Sequence, residues 1–258
     1  MKKEDYIKLR DLAISYDIVL SNVKKSDCSA DVLQTIIKSL GEYKSIFPEV
    51  FDKRYRLTLS LNTFSNDDDF AITRKHIITL NSNAYRDIDN LQREYQSFVE
   101  EKWFVQGTDW RAIIHHEFGH VVANVYKIDP LKIACEVTGL GELETLNFVM
   151  CNLSNYAFSL VDGTEIIAEV FADISSNNPC EFSREYYDKV LKIAKEGAKM
   201  NVENAMSARN RDTVYWTKNK EWFTLDKERQ RFELTDKAPD EARRSFEKYK
   251  ILNSRRYK

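Results

Sequence analysis

Glycine and proline are scarce in this 258-residue chain, with seven and four copies. So few turn-formers, set beside long helical hydrophobic patterns, argue for a mainly helical protein. No stretch approaches the roughly 18 apolar residues that a membrane span requires, which excludes a transmembrane helix. The N-terminus, Met1-Lys2-Lys3-Glu4-Asp5, lacks the apolar run of a signal peptide, so the chain as given reads as cytosolic. Export would need a non-classical route. Cysteine is sparse too: Cys28, Cys135, Cys151 and Cys180 are dispersed, show no C-x-x-C spacing, and read as reduced thiols. Internal repeats and low-complexity tracts are absent. Hydrophobic residues, at 43%, exclude an intrinsically disordered reading and can supply a substantial core.

Histidine is rare as well, with four copies. Two of them nevertheless fall in His116-Glu117-Phe118-Gly119-His120, an H-E-x-x-H run whose flanks, Ala112-Ile113-Ile114 and Val121-Val122-Ala123, are apolar and free of proline. This is the metallopeptidase signature. Residues four apart project from one face of a helix about one turn apart, so both imidazoles can reach a single Zn²⁺. Glu117 lies one step round, where its carboxylate can reach a water on the metal as a general base without completing the ligand set. Gly119 weakens a helix interior by roughly 1 kcal/mol relative to alanine. Close approach by another backbone or by substrate would explain it. His115 points about 100° away from His116 and cannot share its metal, so a supporting or solvent-facing role is expected. His76, ahead of a strand-like run, reads as structural.

Two histidines leave a catalytic zinc one protein ligand short. The run Thr164-Glu165-Ile166-Ile167-Ala168-Glu169-Val170-Phe171-Ala172-Asp173 reads as a helix with acidic side chains at 165, 169 and 173 on one face. Like charges at i, i+4 destabilise an isolated helix, so a nearby cation or histidine would rationalise them. Taken alone, the stripe would be an ordinary solvated face; the upstream histidines make Glu165 or Glu169 the candidate third ligand, the other orienting the site.

His-Glu-Phe-Gly-His followed by a Glu-x-x-Ala-Glu-x-Phe helix resembles the gluzincin class of zincins, specifically the catalytic domains of anthrax lethal factor and the proline-proline endopeptidases. The resemblance covers roughly residues 55 to 180. It implies that Glu165 binds zinc and Glu169 lies just behind it. A thermolysin-like alignment would instead put Glu169 on zinc and Asp173 behind a histidine. The same relatives carry a tyrosine a short loop before the glutamate, whose hydroxyl helps stabilise the oxyanion; here Tyr156 is that candidate, although the loop is about two residues longer and Phe158 occupies the literal spacing.

Elsewhere, residues 4 to 24 and 30 to 46 carry helical patterns, and residues 55 to 62 and 76 to 80 read as strands on either side of an acidic, solvated turn at Asp67-Asp68-Asp69. Zincin-like enzymes lay an extended substrate along a sheet edge beside the metal, so peptide binding by strand addition is expected. Residues 87 to 104 form a further helix, and Thr108 or Asp109 can cap the H-E-x-x-H helix, which runs to about Lys127 and is ended by Asp129-Pro130. Residues 131 to 160 resist assignment beyond a loop at Gly139-Leu140-Gly141, and are expected to wall the substrate cleft. A helix from Phe182 to Met200 follows the break at Asn177-Asn178-Pro179.

Charge is uneven. Residues 201 to 258 hold 15 Lys/Arg against 10 Asp/Glu, although the whole chain has a net charge of −2. Tyr215, Trp216, Trp222, Phe223 and Phe232 interleave with these basic residues, but no RNA- or DNA-binding motif accompanies them, so nucleic acid is not the expected partner. A hairpin or turn followed by a helix from Pro239 to Leu252, docked by its aromatics, is expected instead.

The whole reads as an α+β, mainly helical, zincin-like metallopeptidase with a small sheet next to the H-E-x-x-H helix. Its parts are an N-terminal helical segment (1 to 50), a catalytic domain (51 to 200) and a basic aromatic attachment (201 to 258). The expected activity is zinc-dependent hydrolysis of a peptide or protein substrate, with Glu117 and Tyr156 catalytic and His116, His120 and Glu165 on the metal. The rivals are a toxin or effector protease aimed at one protein, and a phage-associated structural or assembly protein with a zincin-like domain. In the latter case the tail, including Leu234-Thr235-Asp236-Lys237-Ala238-Pro239, would dock to a partner.

Overall fold

The computed structural model describes the backbone of residues 1–65, 69–159, 162–226 and 231–252. Asp67 and Asp68 of the acidic turn lie outside the described residues, and Asp69 is exposed. The fold is α+β and mainly helical. The chain divides into two compact units, Met1–Lys195 and Glu196–Lys258.

The first unit contains α1 (Lys3–Ser15), β1 (Val19–Ser21), α2 (Ala30–Glu42), β2 (Thr58–Asn62), β3 (Ala71–Arg74), β4 (Ile77–Asn81) and α3 (Ile88–Glu100). These are followed by α4 (Ala112–Tyr126), α5 (Pro130–Thr138), α6 (Glu142–Asn152), α7 (Thr164–Ile174) and the first part of α8 (Glu181–Val214). Residues 1–50, expected as a segment ahead of the catalytic part, thus supply two helices and a strand to the same unit.

The sheet runs β1-β2-β4-β3. β1, β2 and β4 are parallel, pairing Leu20 with Leu59 and Leu59 with Ile78. β3 runs antiparallel to β4, with Thr73 opposite Ile78, and forms one edge. Alternation in β2 and β4 buries Leu59, Leu61, Ile78 and Leu80.

Three expectations change. The helix foreseen over residues 4 to 24 stops at Ser15, because Asp17 takes a left-handed conformation (φ 60°) and the chain then extends into β1. Its apolar residues Ile18 and Val19 belong to that extended segment, where β-branched side chains fit well. β3 was not foreseen; four half-exposed residues at an edge carry too little alternation to read. Residues 131 to 160 hold two helices, and Asp129-Pro130 opens α5 as well as ending α4: the Asp129 carboxylate accepts the Lys132 N–H and Pro130 takes the first helical position, where its missing N–H does no harm.

The core lies where α4 meets α7. Phe118 of α4 and Phe171 of α7 are fully buried with Phe47, each such side chain contributing about 1.5–3 kcal/mol. Tyr43 stacks on Phe118 with centroids 4.2 Å apart and ring planes 7° from parallel. Its hydroxyl also meets Nδ1 of His115 at 2.7 Å, and burial pushes that imidazole down to about 4, so it stays neutral. His115 is therefore half-buried and tied to the core through Tyr43, apart from the other two histidines.

In the second unit, β5 (Phe223–Asp226) and β6 (Arg231–Leu234) form the expected hairpin, and α9 (Asp240–Leu252) the expected helix. Trp216 is 2% exposed and packs against Phe223, Phe232 and Phe246 at centroid distances of 5.1, 5.2 and 5.0 Å. These rings form a small core instead of an open stacking face. No helix among the described residues is long and apolar enough to cross a membrane.

Candidate metal centre

α4 places His116 and His120 on one face, and α7 does the same for Glu165 and Glu169. What brings the faces together is Gly119. A Cβ built there would lie 2.9 Å from Ala168 Cα and 3.0 Å from the Ile167 carbonyl oxygen, so only glycine lets the two backbones approach this closely. The sequence expectation of a close backbone approach is met by α7.

Glu165 Oε2 lies 3.2 Å from His116 Nε2 and 3.2 Å from His120 Nε2. Donors at the corners of a tetrahedron with bonds of about 2.0–2.1 Å stand roughly 3.3–3.4 Å apart, so the spacing suits one small divalent ion. Although close to both imidazoles, Glu165 Oε2 is buried and receives no well-aligned hydrogen bond. Three potential ligand atoms therefore face one another at coordinating spacing. Burial would raise the Glu165 carboxyl, but the two imidazoles outweigh it and hold the group below the usual carboxylate range. His116 shows the mirror effect: burial would lower it, but Glu165 and Glu169 raise it to about 10. The buried group His116, His120 and Glu165 could hold a metal ion.

Of the two glutamates left open by sequence, Glu169 lies behind this group. Its Oε1 is 2.7 Å from His116 Nδ1, and the residue is 2% exposed. In the neutral imidazole that metal binding requires, a proton held on Nδ1 by Glu169 would leave the Nε2 lone pair directed at the cluster. Asp173 pairs with no histidine among the described residues; its Oδ2 accepts the Cys180 N–H where α7 turns into α8. The acidic stripe is thus not solvated, since Glu165, Glu169 and Asp173 are all buried.

Glu117 is 6% exposed and its Oε2 has no hydrogen-bond partner among the described residues. It opens on a cavity of about 250 Å³ lined also by Phe70, Phe98, Trp103, Phe104, Ile113 and Tyr156. The Tyr156 ring stands 5.6 Å from that of His116. Burial, then the charges of Glu165 and Glu117, raise its phenol above the ordinary value, so it remains a hydrogen-bond donor at neutral pH. Phe158, at the literal spacing of the resemblance, packs against the core instead.

Two contributions escaped the sequence reading. Thr73 of the edge strand donates its hydroxyl to the Glu117 carbonyl oxygen at 3.2 Å, tying β3 to α4 at the site. Phe98, Trp103 and Phe104 build the cavity wall from the end of α3; their aromatic density was visible, but nothing local says which way the rings point. The four cysteines are free thiols, none among the cluster. No family model, curated protein or solved structure matches the chain.

Proposed function

We propose that the chain is a zinc-dependent endopeptidase of the zincin type, with the gluzincin ligand set His116, His120 and Glu165. The observation that carries this reading is the convergence of the two Nε2 atoms and Glu165 Oε2, with the buried Glu117 carboxylate and Tyr156 on the same cavity. A bound zinc ion supplies Lewis acidity, lowering the pKa of water at the site and polarising the peptide carbonyl.

The remaining roles belong to the protein. Glu117 takes the proton as water oxygen attacks the carbonyl carbon, then passes it to the leaving nitrogen as the C–N bond breaks. Tyr156 donates its hydroxyl to the oxyanion that develops on the attacked carbonyl. Glu169 holds the His116 ring. An extended peptide adds to the outer edge of β3, whose far side pairs with β4 and whose Thr73 is fastened to the helix at Glu117. The largely aromatic cavity receives a large apolar side chain next to the scissile bond.

The test is zinc content together with cleavage of a peptide library. One equivalent of zinc per chain is expected, with cleavage beside large apolar residues that stops on chelation and returns with added zinc. One bound zinc without cleavage of any library member overturns the peptidase reading.

The two glutamates separate cleanly in a competition titration with a chromophoric chelator. Glu169→Ala is expected to weaken zinc binding by roughly 10–100-fold, the usual effect of removing a partner behind a ligand, and Glu165→Ala to weaken it further. The reverse order would make Glu169 the ligand.

A further inference from the structure

Tyr156 occupies one turn of 3-10 helix, Tyr156–Phe158, and such a turn has too few hydrogen bonds of its own to fix a side chain. Its support comes from the segment after α3. The Asn155 N–H donates to the Lys102 carbonyl at 2.8 Å, and the Tyr156 N–H donates to the Trp103 carbonyl at 3.1 Å. That segment is itself anchored, because the N–H groups of Lys102 and Trp103 donate to the Val99 and Phe98 carbonyls at 3.0 and 2.8 Å.

The side chains continue the linkage. Phe104 stacks on Tyr95 with centroids 5.1 Å apart and lies 5.4 Å from Phe98. From that clamp it meets Tyr156 in a T-shaped contact at 5.8 Å, with ring planes 73° apart. The His116 ring also lies beside Tyr156, at 5.6 Å. Tyr156 therefore touches both a metal-ligand candidate and Phe104. No hydrogen bond fixes its hydroxyl among the described residues, so ring packing sets where that hydroxyl points.

We infer that Phe104 is a positioning residue for Tyr156, and that it conveys occupation of the cavity to the hydroxyl that stabilises the oxyanion. The inference rests on the peptidase reading for its catalytic consequence but not for its geometry. Phe104 and Tyr156 line the same cavity. An apolar substrate side chain entering it presses on the ring that backs Tyr156, so binding energy from a non-reacting part of the substrate appears in turnover rather than in affinity alone.

Phe104→Leu tests this, since leucine keeps most of the apolar volume but removes the ring; Phe104→Ala serves as the stronger variant if it folds. In crystal structures of the zinc-loaded proteins, the Tyr156 ring is expected to leave its place against His116 in Phe104→Leu while His116, His120 and Glu165 stay together. An unmoved Tyr156 overturns the inference, whatever the protein hydrolyses.

Kinetics supply the second readout. Loss of one oxyanion donor costs about 10²–10³-fold in kcat, and Phe104→Leu is expected to share a large part of the loss seen in Tyr156→Phe, with the fall in kcat exceeding any rise in KM. In the double variant the two losses should not multiply. Multiplied losses, or a rise in KM alone, would leave Phe104 as a cavity wall and nothing more. Absence of hydrolysis in the unaltered zinc-loaded protein would end the peptidase reading while the structural comparison still decided the positioning role.

Discussion

Glu117→Gln is expected to leave one zinc bound per chain and to lower peptide hydrolysis by about 10²–10⁴-fold, the usual contribution of a positioned general base. Glutamine has nearly the same shape, and Glu117 is not among the three converging donors, so the metal cluster is untouched. Only the ability to take a proton is removed. The carboxylate it replaces is 6% exposed with an oxygen unpartnered among the described residues. Burying such a charge without a partner is unfavourable, so the variant should melt at the same temperature or higher. Metal analysis, initial rates and a thermal melt check the three parts. An unchanged turnover number removes Glu117 from the mechanism, and lost zinc would mean that it belongs to the ligand set.

Gly119→Ala acts on the frame. The added Cβ would lie 2.9 Å from Ala168 Cα, and the atoms it meets are backbone, which cannot rotate away. α4 and α7 must separate, and overpacking of this kind typically costs about 1–3 kcal/mol. Alanine recovers roughly 1 kcal/mol of helix propensity, which offsets part of the strain without relieving it. The consequence for the metal is sharper, because Glu165 and Glu169 flank Ala168 on the helix that has to move, while both histidines ride on the other. Distances of 3.2 and 2.7 Å across this interface leave little slack. Denaturation should show lost stability, and titration should show weakened zinc binding in protein that is still folded. A variant that melts and binds zinc like the unaltered protein would mean that the helices are not held apart by this contact.

The parts legible in sequence share a physical property: each is decided within a few residues. The i, i+4 spacing of His116 and His120, the matching spacing of Glu165 and Glu169, and the alternation of residues 58 to 61 express helix and strand periods directly. The hairpin and last helix of the second unit follow from local turn and period signals in the same way. The misread segments are those where local signals conflict or are too short. Residues 16 to 21 continue an apolar pattern past a left-handed Asp17, and β3 is four residues long and paired on one side only.

The sequence by itself determined that two imidazoles and a neighbouring carboxylate share one helix, that a second helix offers acidic groups in register, and that the fold is helical with a small sheet. Only the tertiary structure decided which acidic group faces the imidazoles, which stands behind, and that His115 pairs with Tyr43 instead. The reason is that period sets direction around a single helix axis, whereas the pairing of Glu165 with both Nε2 atoms depends on the distance and angle between two helices remote in sequence. That distance is set where a missing side chain at Gly119 meets the backbone at Ala168.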